Sequence, residues 1–511
     1  MSIRTAATAA VASLALVAPI AVSSCRSAPQ PAQASVKRLT VLYTGDLHGV
    51  TEPCGCTAAV LLGGIDRLGR QIALARADAG GRGLLVDAGN MLASASPVPE
   101  ARRAQDEASA HVLAEAYQSI SFDAVAVGPL DLAFGLDGLT KAQAKGDIPF
   151  VSANLKAAAA PWRPWRVVET AGLKVGVFGL TDPDLFGTPP AGVAISPLKA
   201  GLEEALSGLA REEVDLVVGL GAVDRRKLRR LLKEVPGVDL FVRAHQTQRD
   251  DTARPAGGAW IVEPHEEAQS LGRVRLAISA DAQLRPVGLG ASERERLNRR
   301  RQHLLDTGRS DALAELDAQL AKPDMASIIA PDAGAFTTQL LPVTPELEPI
   351  PELAALRTAH NKRLKEINLA HATPPPPLPA GASGYAGVEE CALCHDEEEA
   401  FWKTTKHGHA VATLVERDKQ FDEDCISCHV TGYRKPGGSS LGHLGVLENV
   451  QCESCHGPSS LHSDDGEEGS APTPKVPEAV CKNCHNAKHS PKFEYEVWLP
   501  KILGPGHGGQ R

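Results

Sequence analysis

The sequence predicts two units of different architecture: an N-terminal α/β sandwich, and a C-terminal, mainly α-helical and loop region with little regular core of its own. Three observations lead there. From Leu39 onward short β-branched runs alternate with helix-period stretches, the pattern of a layered α/β domain with loops at its strand ends. At Thr373-Pro374-Pro375-Pro376-Pro377-Leu378-Pro379 the chain becomes a semi-rigid polyproline spacer. Beyond it the pattern Cys-x-x-Cys-His occurs four times, at Cys391-Cys394-His395, Cys425-Cys428-His429, Cys452-Cys455-His456 and Cys481-Cys484-His485.

The 511 residues allow two or three domains that each bury a core. A net charge of −9 argues against nucleic acid as a partner. Beyond the N-terminus no apolar run approaches the ~20 residues needed to span a bilayer.

Residues 1–24 read as an export signal, with Arg4 as the positive n-region and Ala6 to Val22 as the apolar h-region. The segment ends Val22-Ser23-Ser24-Cys25, which resembles a bacterial lipobox and implies lipidation of Cys25 as the first mature residue. Cleavage after Ala32-Gln33-Ala34 is the alternative. Residues 25–36, rich in Ala, Pro, Gln and Ser, read as a tether. Together these imply an exported, periplasmic lipoprotein, and Arg26 in second position points to the outer membrane.

Residues 37–290 carry the α/β pattern. Candidate strands are Leu39 to Tyr43, Leu84 to Val86, Ala124 to Val127, Phe150 to Ser152, Val175 to Leu180, Leu216 to Leu220 and Leu240 to Val242, with helices such as Ile65 to Ala77 and Ala104 to Ala116 between them. The strand-end loops read Gly45-Asp46-Leu47-His48, Gly63-Gly64, Asp87-Ala88-Gly89-Asn90 and Ser152-Ala153-Asn154. This set resembles the calcineurin-like metallophosphoesterase domain of 5′-nucleotidases, in which two divalent metals clamp a phosphoryl group and generate hydroxide.

Carried over residue by residue, the metal site is degenerate. Asp46 and His48 match, but Asn90 stands at the bridging Asp, and Gly128-Pro129-Leu130-Asp131 stands where Gly-Asn-His-Asp is expected. Gly219-Leu220-Gly221-Ala222 replaces the strand-end His, and of the final Gly-His-x-His only His245 remains. Too few anionic or imidazole ligands are left to enclose two dications. The expectation is a domain without two-metal hydrolysis; a single divalent metal at Asp46, His48 and His245 is the residual alternative.

Directly after this opening motif comes Glu52-Pro53-Cys54-Gly55-Cys56. It resembles a subgroup of nucleotidase-like proteins joined to multihaem cytochromes. Cys54 and Cys56 are the catalytic candidates, and four roles stay open: a soft-metal site, an easily reduced disulfide, a sulfur carrier, or an inert loop closure.

Residues 291–372 read as a helical connector, with helical spacing through Leu297, Leu304, Leu313 and Leu316, a strand-like piece from Phe336 to Val343 and a helix from Pro351 to Leu369. His360 and His371 are expected on the surface. Residues 373–383 form the proline-rich linker.

In residues 384–511 the four motifs carry the attachment chemistry of c-type haem: two thiols add to the haem vinyl groups and the adjacent imidazole becomes an axial iron ligand. Paired Cys-x-x-Cys zinc sites are the alternative, but zinc requires no His at a fixed place after every second Cys. Tyr385-Ala386-Gly387, Trp402-Lys403-Thr404-Thr405-Lys406-His407 and Val450 to Pro458 around these motifs resemble the tetrahaem cytochrome c-554 family. The resemblance implies four covalent haems with His395, His429, His456 and His485 as proximal ligands. The only methionines are Met1, Met91 and Met325, so His/Met ligation is not expected here, and the haems should be bis-His or five-coordinate. His407 and His462 match the family's distal positions; His443, His489, His409 and His507 are further candidates.

The functional reading is an electron-transfer protein with redox partner proteins and an unidentified small-molecule substrate. Two rivals stay open: an active phosphoesterase with a cytochrome appendage, and a redox enzyme acting on a sulfur or nitrogen compound at Cys54/Cys56 or at an open haem.

Overall fold

The computed structural model describes residues 36–54, 61–81, 83–245, 250–279, 283–309, 312–466, 473, 475–486, 489–490, 492–505 and 507. Val36 to Arg511 form one unit. The lipidation candidate Cys25, and residues 55–60 with Cys56, lie outside the described residues.

Two sheets face each other. The first has seven strands in the order Arg285–Pro286, Ala335–Pro342, Ser270–Ile278, Lys37–Thr44, Gly83–Asp87, Ala124–Ala126, Phe150–Val151. The second has six, in the order Arg254–Ala256, Ala259–Val262, Leu240–Ala244, Leu216–Ala222, Leu173–Gly179, Trp165–Thr170. Alternation decides which side chains meet between them. On the first strand Leu39, Val41 and Tyr43 point inward to Val175, Val177, Val218 and Val242 of the second sheet, while Leu42 points out to the helices.

Helices close both outer faces. Along the chain they are α1 (Ile65–Asp78), α2 (Arg103–Ile120), α3 (Gly135–Gly146), α4 (Leu198–Arg211), α5 (Arg225–Glu234), α6 (Ala291–Asp306), α7 (Leu313–Leu320) and α8 (Pro351–Ala370). Leu68 and Ile72 of α1, Leu113 and Tyr117 of α2, Leu139 of α3 and Leu353 of α8 share one outer core. Leu202 and Leu209 of α4 and Leu228 and Leu232 of α5 build the other. Each such buried side chain stabilises by about 1.5–3 kcal/mol. The N-terminal unit is therefore an α/β sandwich with four layers.

The segment read as a connector contributes to this sandwich. Ala335–Pro342 pairs antiparallel with Ser270–Ile278 from Ala277↔Ala335 to Ser270↔Pro342. Helix α8 begins on Pro351, a residue suited to the first helical turn, and packs on α1 and α2. Its His360 corrects the sequence expectation: it is buried at 3% exposure, and Nε2 lies 3.1 Å from Ser109 Oγ of α2. Burial pushes its pKa down to about 4. Helix α8 carries charge on several sides, which hid this contact from a period-based reading. His371, by contrast, is exposed as expected.

The proline-rich residues lie along the C-terminal region, where Gly437 N donates to Pro376 O at 2.9 Å and Ser440 Oγ to Thr373 O at 2.6 Å. That region is helical in short pieces. Its aliphatic cluster is small, Val411, Leu414, Ile426, Val430 and Leu441, as expected for a segment organised around bound groups.

Candidate functional site

The strand-end cleft is built from loops that hold four residues in left-handed backbone: Asp46 (φ 53°), His48 (φ 55°), Asn90 (φ 62°) and His245 (φ 71°). Non-glycine residues rarely adopt this conformation, and they do so where the surroundings over-determine it. The surroundings here are a backbone zipper, Asp46 N to Gly89 O, His48 N to Asn90 O and Gly49 N to Met91 O, each 2.9 Å. Asp131 gathers the other side, accepting from the backbone N–H groups of Gly128, Asn90, Met91 and Leu92 at 2.7–3.1 Å. Burial pushes its carboxyl up to about 6 against those four donors. Asp87, buried among Thr44, Gly89 and Tyr117, is pushed up to about 7.

Four sequence candidates thus converge, and Asp46 is their centre. It is fully buried; Oδ1 accepts from Asn90 Nδ2 at 2.9 Å and Oδ2 from His245 N at 2.6 Å. His48 Nε2 stands 3.6 Å from Oδ1. Burial lowers the His48 pKa, but Asp46 with Glu266 and Glu267 outweighs it and the pKa is raised. Asn90 Oδ1 accepts from Leu130 N at 3.2 Å, so both ends of its amide are engaged. Gly128 is required beside it, because a Cβ there would overlap the Asn90 side chain. Asp46 thus accepts a hydrogen bond on each carboxylate oxygen.

A buried pair that the sequence reading missed lies next to this cleft. Arg243 Nε donates to Glu263 Oε1 at 2.5 Å, and its Nη1 to the carbonyls of Val223 and His245, each at 3.1 Å. Arg225 adds a second guanidinium on Glu263 at 2.6 Å. A lone Arg within a strand gives no local signal of such a role. Cys54 lies in a two-residue strand paired with Leu62–Gly63.

In the C-terminal region every Cys-x-x-Cys-His motif begins on a short helix: Val388–Ala392, Glu423–Ile426, Cys452–His456 and Glu478–Lys482. Three proximal imidazoles have Nδ1 engaged, His429 with Ala410 O at 2.6 Å, His456 with Thr473 O at 2.7 Å and His485 with Ser490 Oγ at 3.1 Å. A carbonyl partner fixes the proton on Nδ1 and leaves Nε2 to coordinate a metal.

Two imidazole pairs then lie close together with tilted rings, at 48° for His407 and His485 and 34° for His456 and His507, while His485 also stacks on Phe493 at 4.7 Å. His407 and His485 have ring centroids 6.1 Å apart, and so do His456 and His507. Metal–imidazole bonds of about 2 Å put two trans imidazoles of one ion about 6 Å apart, centroid to centroid. The donor set and spacing therefore fit haem iron. His507 is among the less certain sequence candidates. His409 Nε2 bonds Lys403 O at 2.8 Å and His443 Nδ1 lies 3.3 Å from Leu441 O.

Cys391 lies within hydrogen-bond reach of Cys452, and Cys428 of Cys484, so the first motif neighbours the third and the second neighbours the fourth.

Residues 390–457 match the family model of cytochrome c554 and c-prime. Cytochrome c-554 of Nitrosomonas europaea is 28% identical over 161 residues, 24% of this chain and 68% of that protein. The match implies covalently bound c-type haem. Among solved structures, a 5′-nucleotidase precursor from Thermus thermophilus aligns at TM-score 0.47 and 18% identity, over 64% of this chain and 59% of that one. The sulfate thiohydrolase SoxB of the same organism aligns at 0.46 and 15%, over 64% and 60%. The calcineurin-like phosphoesterase YfkN of Bacillus subtilis gives 0.45 and 16%, over 66% and 99%. The chain spans under two thirds of the first two structures. It thus joins an α/β sandwich whose strand-end loops resemble those of metallophosphoesterases to a segment similar to cytochrome c-554.

Proposed function

We propose that this protein is an exported electron-transfer protein that carries four c-type haems, and that its sandwich is not a two-metal phosphoesterase. The observation that carries the first part is the pair of imidazole couples at 6.1 Å, each containing the His of a Cys-x-x-Cys-His motif. Bound haem supplies one-electron transfer at low potential when both axial ligands are His. The cysteines Cys391, Cys394, Cys425, Cys428, Cys452, Cys455, Cys481 and Cys484 would hold the groups, with His395, His429, His456 and His485 as proximal ligands. His407 is the distal partner opposite His485, and His507 the partner opposite His456. His462, His443 and His489 are the candidates for the remaining two sites.

The second part is supported by Asn90, a neutral amide at the bridging-carboxylate position that donates from Nδ2 to Asp46 Oδ1, and by Pro129 and Leu130 where metal-contacting side chains are expected. The reading includes export to the periplasm, an outer-membrane lipid anchor at Cys25, and redox proteins as partners.

The test is the protein matured in a host that attaches c-type haem. Its mass should exceed that of the bare chain by four haems. His407→Ala and His507→Ala should each convert one haem from low to high spin in electron paramagnetic resonance. Unchanged spectra in both variants would overturn the axial assignment. Metal-dependent phosphate release from a 5′-nucleotide, lost in Asp46→Ala, would overturn the second part.

A redox reaction at Cys54/Cys56 is the second reading. It is favoured by one contact: Glu52 of the Glu-Pro-Cys-Gly-Cys motif reaches Lys419, six residues before Cys425.

A further inference from the structure

The approach to the second motif is clasped by the sandwich more closely than any local sequence signal suggests. Lys419 is buried, and its Nζ lies 3.0 Å from Asn361 Oδ1 of α8, 3.3 Å from Glu52 Oε1 and 3.4 Å from Asp422 Oδ2. Glu52 is itself held by Arg357 Nη1 of α8 at 2.9 Å, and Arg357 Nε continues to Asp66 of α1 at 3.1 Å. Asp422 caps the Glu423–Ile426 helix through Asp424 N and accepts from Gln105 of α2 at 2.9 Å. That helix carries Cys425, and Lys419 lies within electrostatic reach of it. Asn368 Nδ2 of α8 donates to Phe421 O at 2.7 Å, and Arg102 pairs with Asp424.

A buried ammonium costs several kcal/mol unless it is paired and hydrogen-bonded. Lys419 is both. Burial opposes its charge, but Glu52 and Asp422 outweigh burial and its pKa is raised. The cluster therefore holds the Lys419 ammonium between Glu52 and Asp422 beside one haem motif and joins that motif to the loop that carries Asp46 and His48.

We propose that the second motif, Cys425 to His429, is the point at which the cytochrome segment is docked on the sandwich, with Lys419 as the positioning residue that holds it there and raises the potential of the haem it holds. This rests on the haem reading above. A fixed cation favours the less positive, ferrous form, and the low dielectric of a buried site strengthens its pull.

The experiment is a redox titration of the full-length holoprotein resolved by electron paramagnetic resonance, with His429→Met identifying the second-haem component by its own upward shift. Lys419→Gln should lower the midpoint of that component, Glu52→Gln should raise it, and Lys419→Arg should leave it in place. Opposite signs separate an electrostatic role from loosened packing, which would move both variants the same way. Shifts of equal sign, shifts shared evenly by all components, or none in either variant overturn the proposal. The mass of the same samples reports the haem count: fewer than four overturns the count alone, while the sign of the two shifts still decides the role of Lys419.

Discussion

Asp46 stands at the centre of a cleft in which a neutral amide has taken the place of a bridging carboxylate, and this makes its environment testable at the level of one atom. Asn90→Asp would set two carboxylates against each other where Asn90 Nδ2 now donates to Asp46 Oδ1 at 2.9 Å. Losing that bond and burying a second acid should cost about 1–3 kcal/mol. The melting temperature should fall, and added Mn²⁺ should not restore it, because the imidazole ligands expected around residues 129–130 and 219–222 are still missing. Full recovery with Mn²⁺ would mean that one carboxylate suffices to rebuild the site.

His360 gives a pH signature of known sign. Its folded pKa, about 4, lies below the ordinary 6.5 because burial disfavours the imidazolium. Its contribution to stability is present above pH 6.5 and is lost as pH falls from there towards about 4. Denaturant midpoints measured over that window should fall more steeply in the natural protein than in His360→Gln, which can still meet Ser109 Oγ. Parallel profiles would show that His360 does not titrate on unfolding. The motif residues were legible because their chemistry demands fixed spacing. His360 and Arg243 were not, because burial of a single polar side chain leaves no trace in local periodicity.

Strands and helices were readable where burial leaves a pattern, as a β-branched and apolar run in Lys37–Thr44, which is buried on both faces, and as 3.6-residue spacing in α2. What the sequence withheld was partnership. Ala335–Pro342 pairs with a strand some sixty residues earlier, and no local pattern encodes such a register. Helix α8 likewise looked like a bridge but seals the outer core. Its contact with α1 is close at one position: a Cβ on Gly69 would lie 2.5 Å from Leu353 Cδ1. Gly69→Ala should therefore destabilise by about 1–3 kcal/mol through overpacking, although alanine is favoured over glycine in a helix by about 1 kcal/mol. Combined with Leu353→Ala, the loss should be smaller than the sum of the two single losses, which denaturant melts would show as non-additivity. A stabilised single variant would mean that the two helices part freely.

At the scale of the whole molecule, the proline-rich stretch reads as a spacer in sequence and lies against the C-terminal region in structure. Polyproline is extended and stiff, so it marks a change of architecture. It does not say whether the two units separate. The contacts that decide this are spread over α2, α8 and the approach to Cys425, and each is an ordinary polar residue when read alone. Together they include a buried Lys419 with anions on both sides, and breaking such a pair leaves an uncompensated charge, typically at a cost of 3–5 kcal/mol. Docking should therefore survive loss of the covalent connection. A protease site inserted after Pro379, cut in the folded holoprotein, should give two fragments that co-elute as one species near neutral pH and moderate salt. In Lys419→Gln the same cut should release more of the haem-bearing fragment, because Glu52 and Asp422 then face each other without the ammonium between them. Fragments that separate at once in the natural sequence would make the segment a tethered carrier, free to swing between partners.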